Sequence, residues 1–205
     1  MKVKVCGLST TIQVKTCINY GADFCGFILN YPKSHRFINY KTAKELTSIK
    51  KGTTNFVGVL VNPKKDELEK FSKLNLDYFQ IYGDYNQDNI NNIKNKYKKK
   101  IIFSIQVKEK EDVLNYKKII KSADIILWDS SGLQESLTWN YEWIKSIPNN
   151  FTKMVAGNIT IDKLEYISTI ADIVDVSGAL ETNKVKDINK IKKFLEKIKK
   201  INDEN

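Results

Sequence analysis

Short apolar runs of strand length alternate with helix-patterned segments along the whole chain. The runs are Lys2–Leu8, Phe24–Leu29, Asn55–Val61, Tyr78–Tyr82, Ile101–Val107, Asp124–Asp129, Lys153–Ala156 and Ile173–Ser177. Most are nearly continuous hydrophobic stretches without clean polar alternation, the pattern of parallel strands covered on both faces. Between them, helical spacing of apolar residues predicts helices over Thr42–Ile49, Asp66–Leu74, Glu111–Ile120, Ile161–Ile170 and Ile188–Ile198, with a weak one at Tyr141–Ser146. Eight strand–helix units in 205 residues predict an α/β fold, a single-domain (β/α)8 TIM barrel over residues 1–205 with short loops. A doubly wound open sheet is the structural alternative, but no G-x-G-x-x-G follows the first run.

Composition narrows the class. No apolar run approaches the roughly 20 residues of a membrane span, and Lys15 and Asp23 interrupt any signal-peptide core. Cys6, Cys17 and Cys25 are odd in number and lack zinc-site spacing, so reduced thiols and a cytoplasmic location are expected. The net charge is +10, yet Arg36 is the single arginine among 34 basic residues. Nucleic-acid binders interleave arginine with aromatics on a patch. Here the lysines fall mostly on helical faces and read as a solvated surface. No nucleic-acid, membrane or obligate protein partner is expected, although the positive field would steer an anionic metabolite.

Chemistry in such a barrel sits at the carboxyl ends of the strands. The first run ends in Cys6-Gly7-Leu8, a thiol where strand gives way to a glycine turn. The loop after the second, Tyr31-Pro32-Lys33-Ser34-His35-Arg36-Phe37, holds the only arginine and the only histidine. The fourth puts Gln80 and Tyr82 on one face by two-residue alternation. The sixth ends in Asp129, one of few candidates for a buried acid. The seventh ends in Ala156-Gly157-Asn158 before Thr160, and the eighth in Asp175-Val176-Ser177-Gly178-Ala179. Loops after strands seven and eight are frequent phosphate sites, binding through backbone N–H groups and a helix amino terminus. The expected cradle is Gly157, Asn158, Ser177, Gly178 and Ala179, helped by a helix starting near Thr160. Arg36, Gln80, Tyr82 and Asp175 are the expected substrate contacts.

Lys4-Val5-Cys6-Gly7-Leu8, Gly21-Ala22-Asp23-Phe24-Cys25-Gly26-Phe27, Pro32-Lys33-Ser34-His35-Arg36, Val57-Gly58-Val59-Leu60-Val61-Asn62, Asp77-Tyr78-Phe79-Gln80-Ile81-Tyr82-Gly83 and Asp175-Val176-Ser177 follow one another in order. Together they resemble the phosphoribosylanthranilate isomerase family of tryptophan biosynthesis, over some 180 residues. The resemblance implies a cofactor-free and metal-free Amadori rearrangement of N-(5'-phosphoribosyl)anthranilate to the carboxyphenylamino-deoxyribulose phosphate. It implies Asp129 as general acid, Cys6 as general base and Arg36 facing the anthranilate carboxylate. A free thiol is mostly protonated at neutral pH, and Lys4, on the same side of its strand as Cys6, is placed to supply a positive environment.

The chain departs from the family at several points. Tyr82 stands where histidine is usual, and Ser131–Ser136 replaces a Gly-rich loop. Asn158 replaces a second glycine, Ser177-Gly178-Ala179 replaces Ser-Ser-Gly, and Thr182-Asn183-Lys184 lacks the Pro-Gly. Asn tolerates positive φ, whereas Ala179 would do so at a cost of roughly 1–2 kcal/mol, so a cradle shifted by one residue is expected. Two other readings compete. Another phosphosugar barrel would need metal-binding histidines for an epimerase, or strand-end Lys and Glu for indole-glycerol-phosphate synthase. A non-catalytic basic barrel for anionic partners would not need Cys6, Arg36 and Asp129 together.

Overall fold

The computed structural model describes residues 1–130 and 137–204; the Ser131–Ser136 departure lies outside them. Eight parallel strands close in sequence order: β1 Lys2–Cys6, β2 Phe24–Ile28, β3 Asn55–Val61, β4 Tyr78–Tyr82, β5 Lys100–Val107, β6 Ile125–Ser130, β7 Lys153–Val155 and β8 Ile173–Val176, which pairs back onto β1. The predicted barrel is the observed one, with strand ends within two residues of those read from the pattern.

The strand pattern explains the layering. Outward residues such as Val5, Phe27, Phe56, Phe79, Ile101, Trp128 and Val174 are fully or almost fully buried in one large core with the helices. A second cluster, including Phe24, Val57, Tyr78, Ile102, Leu127 and Met154, forms a separate apolar plug. Above it come Lys4, Gln80 and Asp175, polar yet buried. Cys6, Ile28, Val59 and Tyr82 form a third small cluster one step further along. Alternation in a barrel thus stacks apolar, polar and reactive layers towards the carboxyl ends.

Register at the opposite end rests on a fourfold device. Asp23, Asp77, Asp124 and Asp172 each stand just before an even-numbered strand. Their carboxylates accept the N–H of Val3, Phe56, Ile101 and Lys153 at 2.9, 2.7, 2.8 and 2.8 Å. Each of these donors lies at the start of the preceding odd strand, where the parallel ladder has run out of partners.

The connecting helices are α1 Thr11–Asn19, α2 Tyr40–Thr47, α3 Lys65–Ser72, α4 Gln87–Tyr97, α5 Leu164–Ser168 and α6 Ile188–Glu204. Two expected helices are corrected. Lys110–Lys118 is a 3₁₀ segment; Val113, Tyr116 and Ile119 are buried at three-residue spacing, the period that a 3₁₀ turn aligns on one face. Trp128 Nε1 also donates to the Val113 carbonyl at 3.0 Å. After Thr160 the chain makes a three-residue 3₁₀ turn, Ile161–Lys163, before the five-residue α5, so little helix dipole points at the cradle. The weak segment is a 3₁₀ turn over Tyr141–Ile144. Among the described residues no helix is long and apolar enough to cross a membrane.

Candidate active site

A cleft opens at the carboxyl ends of the strands. Cys6, Arg36, Tyr82, Asp129, Gly157, Asn158, Asp175, Ser177, Gly178 and Ala179 line it, with Ile28, Tyr31, Val59, Val61, Ala156 and Ile159 as its apolar wall. Every expected site residue except Gln80 meets there.

Cys6 comes from β1 and lies over Gly26 of β2. A Cβ at position 26 would sit 3.0 Å from the Cys6 sulfur and 3.2 Å from Lys4 Nζ, so glycine makes room for both. Lys4 is fully buried, pairs with Asp175 Oδ2 at 2.7 Å and lies on the same face of β1 as Cys6. Burial opposes its charge, but Asp175 and Cys6 more than compensate, and its pKa lies above the ordinary value. Burial also pushes the Cys6 thiol up, with Lys4 the chief opposing influence. The positive environment expected of Lys4 is present, and it moderates the rise without reversing it. Asp175 Oδ1 is buried and, among the described residues, has no hydrogen-bond partner, an open acceptor on a residue that lines the cleft.

Asp129 ends β6, partly exposed to the cleft. Burial raises its pKa to about 6, against the hydrogen bond from the Tyr82 hydroxyl, which lowers it. That bond is 2.7 Å long. Gln80 corrects the expectation of a direct substrate contact: it is fully buried beneath the cleft, and its Nε2 donates to the Tyr82 oxygen at 3.1 Å. Period-two alternation puts Gln80 and Tyr82 on one face, but only the outer of the two reaches the surface of that layer.

Arg36 is buried against the Gly7 turn. Gly7 has φ 78°, and a Cβ there would lie 2.6 Å from Arg36 Cδ, so only glycine suits both the turn and the arginine stem. The guanidinium does not face the cleft with all its donors. Nε and Nη2 donate to Glu181 Oε1 and Oε2 at 2.6 and 3.0 Å. Glu181 also meets His35 Nε2 at 3.1 Å and the Lys186 ammonium. Burial works against its charge, but Arg36 and Lys186 hold its pKa down at about 2.

Glu181 and Lys186 were missed in sequence. They lie on a small antiparallel hairpin, β9 Glu181–Thr182 and β10 Val185–Lys186. Its tip, Asn183-Lys184, has φ 52° and 63°, the two left-handed residues of a type I′ turn. Asn between Thr182 and Val185 was the available signal. Lys186 had none, being one lysine among many.

The loops after β7 and β8 carry the expected cradle. Gly157 and Asn158 take φ 105° and 49°. Their frame is held by Trp139 Nε1 donating to the Ala156 carbonyl at 2.9 Å and by the Tyr141 hydroxyl on the Gly157 carbonyl. Gly178–Leu180 is a short 3₁₀ turn without positive φ, so the strain expected at Ala179 does not arise. The Ser177 hydroxyl is turned inward, donating to the Cys6 carbonyl at 3.0 Å and accepting from Lys186 at 3.3 Å. It braces the loop from behind.

A family profile described as N-(5'phosphoribosyl)anthranilate (PRA) isomerase matches residues 3–197. The N-(5'-phosphoribosyl)anthranilate isomerase of Streptococcus mutans is 34% identical over 206 residues, covering 97% of this chain and 99% of the relative. The solved phosphoribosyl anthranilate isomerase of Thermotoga maritima is similar in fold, with a TM-score of 0.85 at 24% identity over 98% of this chain and 99% of that one. Another solved isomerase, in complex with reduced 1-(o-carboxyphenylamino)-1-deoxyribulose 5-phosphate, has a TM-score of 0.82 at 24% identity, with 98% and 99% covered.

Proposed function

The chain belongs to the N-(5'-phosphoribosyl)anthranilate isomerase family, an isomerase family of tryptophan biosynthesis, and from that premise we propose that it works by an Amadori rearrangement with Asp129 as general acid and Cys6 as general base. Asp129 protonates the furanose oxygen; the ring C–O bond breaks as the anthranilate nitrogen lone pair forms the Schiff base. The Cys6 thiolate then takes the C2 proton, and the C–H electron pair becomes the enolamine double bond while nitrogen is neutralised. The Cys6 thiol returns its proton at C1 while the C2 hydroxyl gives up its own, which restores Asp129, and the enolamine becomes the ketone with no atom gained or lost overall.

One observation carries this reading: a carboxyl with a pKa of about 6 and a thiol beside an ammonium reach the same cleft from different strands. Two proton transfers at different atoms need that separation. The unpartnered Asp175 Oδ1 suits a substrate hydroxyl. Among the described residues nothing accepts a hydrogen bond from the main-chain N–H groups of Gly157, Asn158, Gly178 and Ala179. Four donors on two loops at one end of the cleft suit a phosphate dianion, with Lys163 and Lys186 nearby. The remaining Nη1 side of Arg36 suits the anthranilate carboxylate.

Freshly prepared phosphoribosylanthranilate, followed by loss of anthranilate fluorescence, is the test. Cys6→Ala and Asp129→Asn should each lower kcat by roughly 10²–10⁴-fold while keeping the native circular dichroism. Retention of more than about a tenth of wild-type kcat by folded Cys6→Ala would remove the thiol from the base role.

A further inference from the structure

The hairpin of β9 and β10 does more than close the chain around the barrel. We propose that Glu181 is a positioning residue that fixes which edge of Arg36 faces the cleft, with Lys186 keeping the cluster positive, so that the site selects substrates bearing a carboxylate on the amine's ring. This deepens the isomerase reading and rests on Arg36 being the carboxylate's partner.

A guanidinium offers a carboxylate two bidentate edges, Nε with Nη2, or Nη1 with Nη2. Glu181 occupies the first edge with both oxygens, at 2.6 and 3.0 Å, and only the second remains for a ligand. Its own placement is rigid. Its side chain is about nine-tenths buried and also meets His35 and Lys186, while its carbonyl accepts from Lys190 Nζ at 2.6 Å. The hairpin carrying it is tied down by Thr182 Oγ1 on Asp187 at 2.9 Å and by the Asp187 N–H on the Leu180 carbonyl at 2.8 Å.

Charge gives Lys186 its part. Arg36 and Glu181 alone would be neutral and would hold a substrate anion weakly. The Lys186 ammonium is almost fully buried and restores one net positive charge to the cluster. It reaches the Ser177 hydroxyl at 3.3 Å as well, tying the carboxylate end of the cleft to the loop proposed for phosphate. A free Arg36 would swing between its two edges, and the ordering would be lost with each swing.

The test uses binding, so that it does not depend on turnover. Reduced 1-(o-carboxyphenylamino)-1-deoxyribulose 5-phosphate and its phenylamino counterpart without the carboxylate are titrated calorimetrically into wild type, Glu181→Gln and Glu181→Asp. Glu181→Gln makes the cluster more positive, so a purely electrostatic role would tighten the carboxylate ligand; the positioning role instead weakens it about tenfold, leaves the carboxylate-free ligand within about twofold, and brings the two affinities closer together. Glu181→Asp, keeping the charge but one methylene short, should fall between. Equal weakening of both ligands, or no weakening of either, overturns the proposal. If the folded wild type binds both ligands but never turns over phosphoribosylanthranilate, the catalytic reading fails while this one stands.

Discussion

In the proposed mechanism Asp129 gives a proton from a carboxyl with a pKa of about 6, and Cys6 takes one on a thiol that burial has raised. The productive form, protonated acid with thiolate, is therefore a minor species between the two pKa values. Its share is constant in that interval and falls on either side, so the acid limb of kcat/KM reports Asp129. Tyr82 holds that limb down, because its hydroxyl donates to the carboxylate at 2.7 Å. Tyr82→Phe should move the acid limb to higher pH and leave the alkaline limb in place. An acid limb that stays put in the variant's pH profile would mean that Tyr82 does not set the Asp129 pKa. Tyrosine in place of the family's usual histidine keeps a donor aimed at the acid, from a group that itself stays neutral.

At the scale of elements, the site depends on strands held in register from the opposite end. Each of the four aspartates before the even strands caps one strand-start N–H that the ladder leaves open. Asp172 serves Lys153 on β7, the strand that leads into Gly157. Asp172→Ala should lower the unfolding free energy by about 1–3 kcal/mol, the cost of stranding a partly buried donor. Urea midpoints read at constant m-value check this; a loss below about 0.5 kcal/mol would reduce the aspartate to decoration. The repeat was present in the sequence as Ala22-Asp23, Leu76-Asp77, Ala123-Asp124 and Ala171-Asp172, an apolar residue and an acid before each even strand. Its spacing of roughly fifty residues kept it from standing out as a motif.

For the molecule as a whole, the acid proposed to serve chemistry works against the fold. Asp129 titrates at about 6 in the native state against 3.8 as an ordinary carboxyl. Between those values the native state binds more protons than the unfolded one, so stability falls as pH rises from about 4 to 6, then levels off. Two pKa units correspond to ~3 kcal/mol; solvent in the cleft reduces this to about 2 kcal/mol. Asp129→Asn should therefore be inactive yet more stable by about 2 kcal/mol at pH 8, with no gain at pH 4. Chemical denaturation of both proteins at the two pH values decides it. Equal stability at pH 8 would show that the ionised carboxyl is not strained.

Local periodicity determined the eight strands, their order and the parallel barrel, because a strand buried on both faces must be apolar wherever it ends up in space. It also placed Cys6 and Asp129 at strand ends, since that depends only on where each run stops. The tertiary structure alone decided depth and partnership. Gln80 and Tyr82 have the same phase, but layer height separates a buried support from a cleft residue. Lys4 meets Asp175 across 171 positions and Arg36 meets Glu181 across 145. Barrel closure brings β8 and the hairpin after it back against β1 and the arginine loop, and sequence spacing carries no trace of that contact. A lysine's role is the hardest to read, because the same side chain is a solvated surface charge on a helix and a buried counter-ion inside the barrel, and only its surroundings tell the two apart.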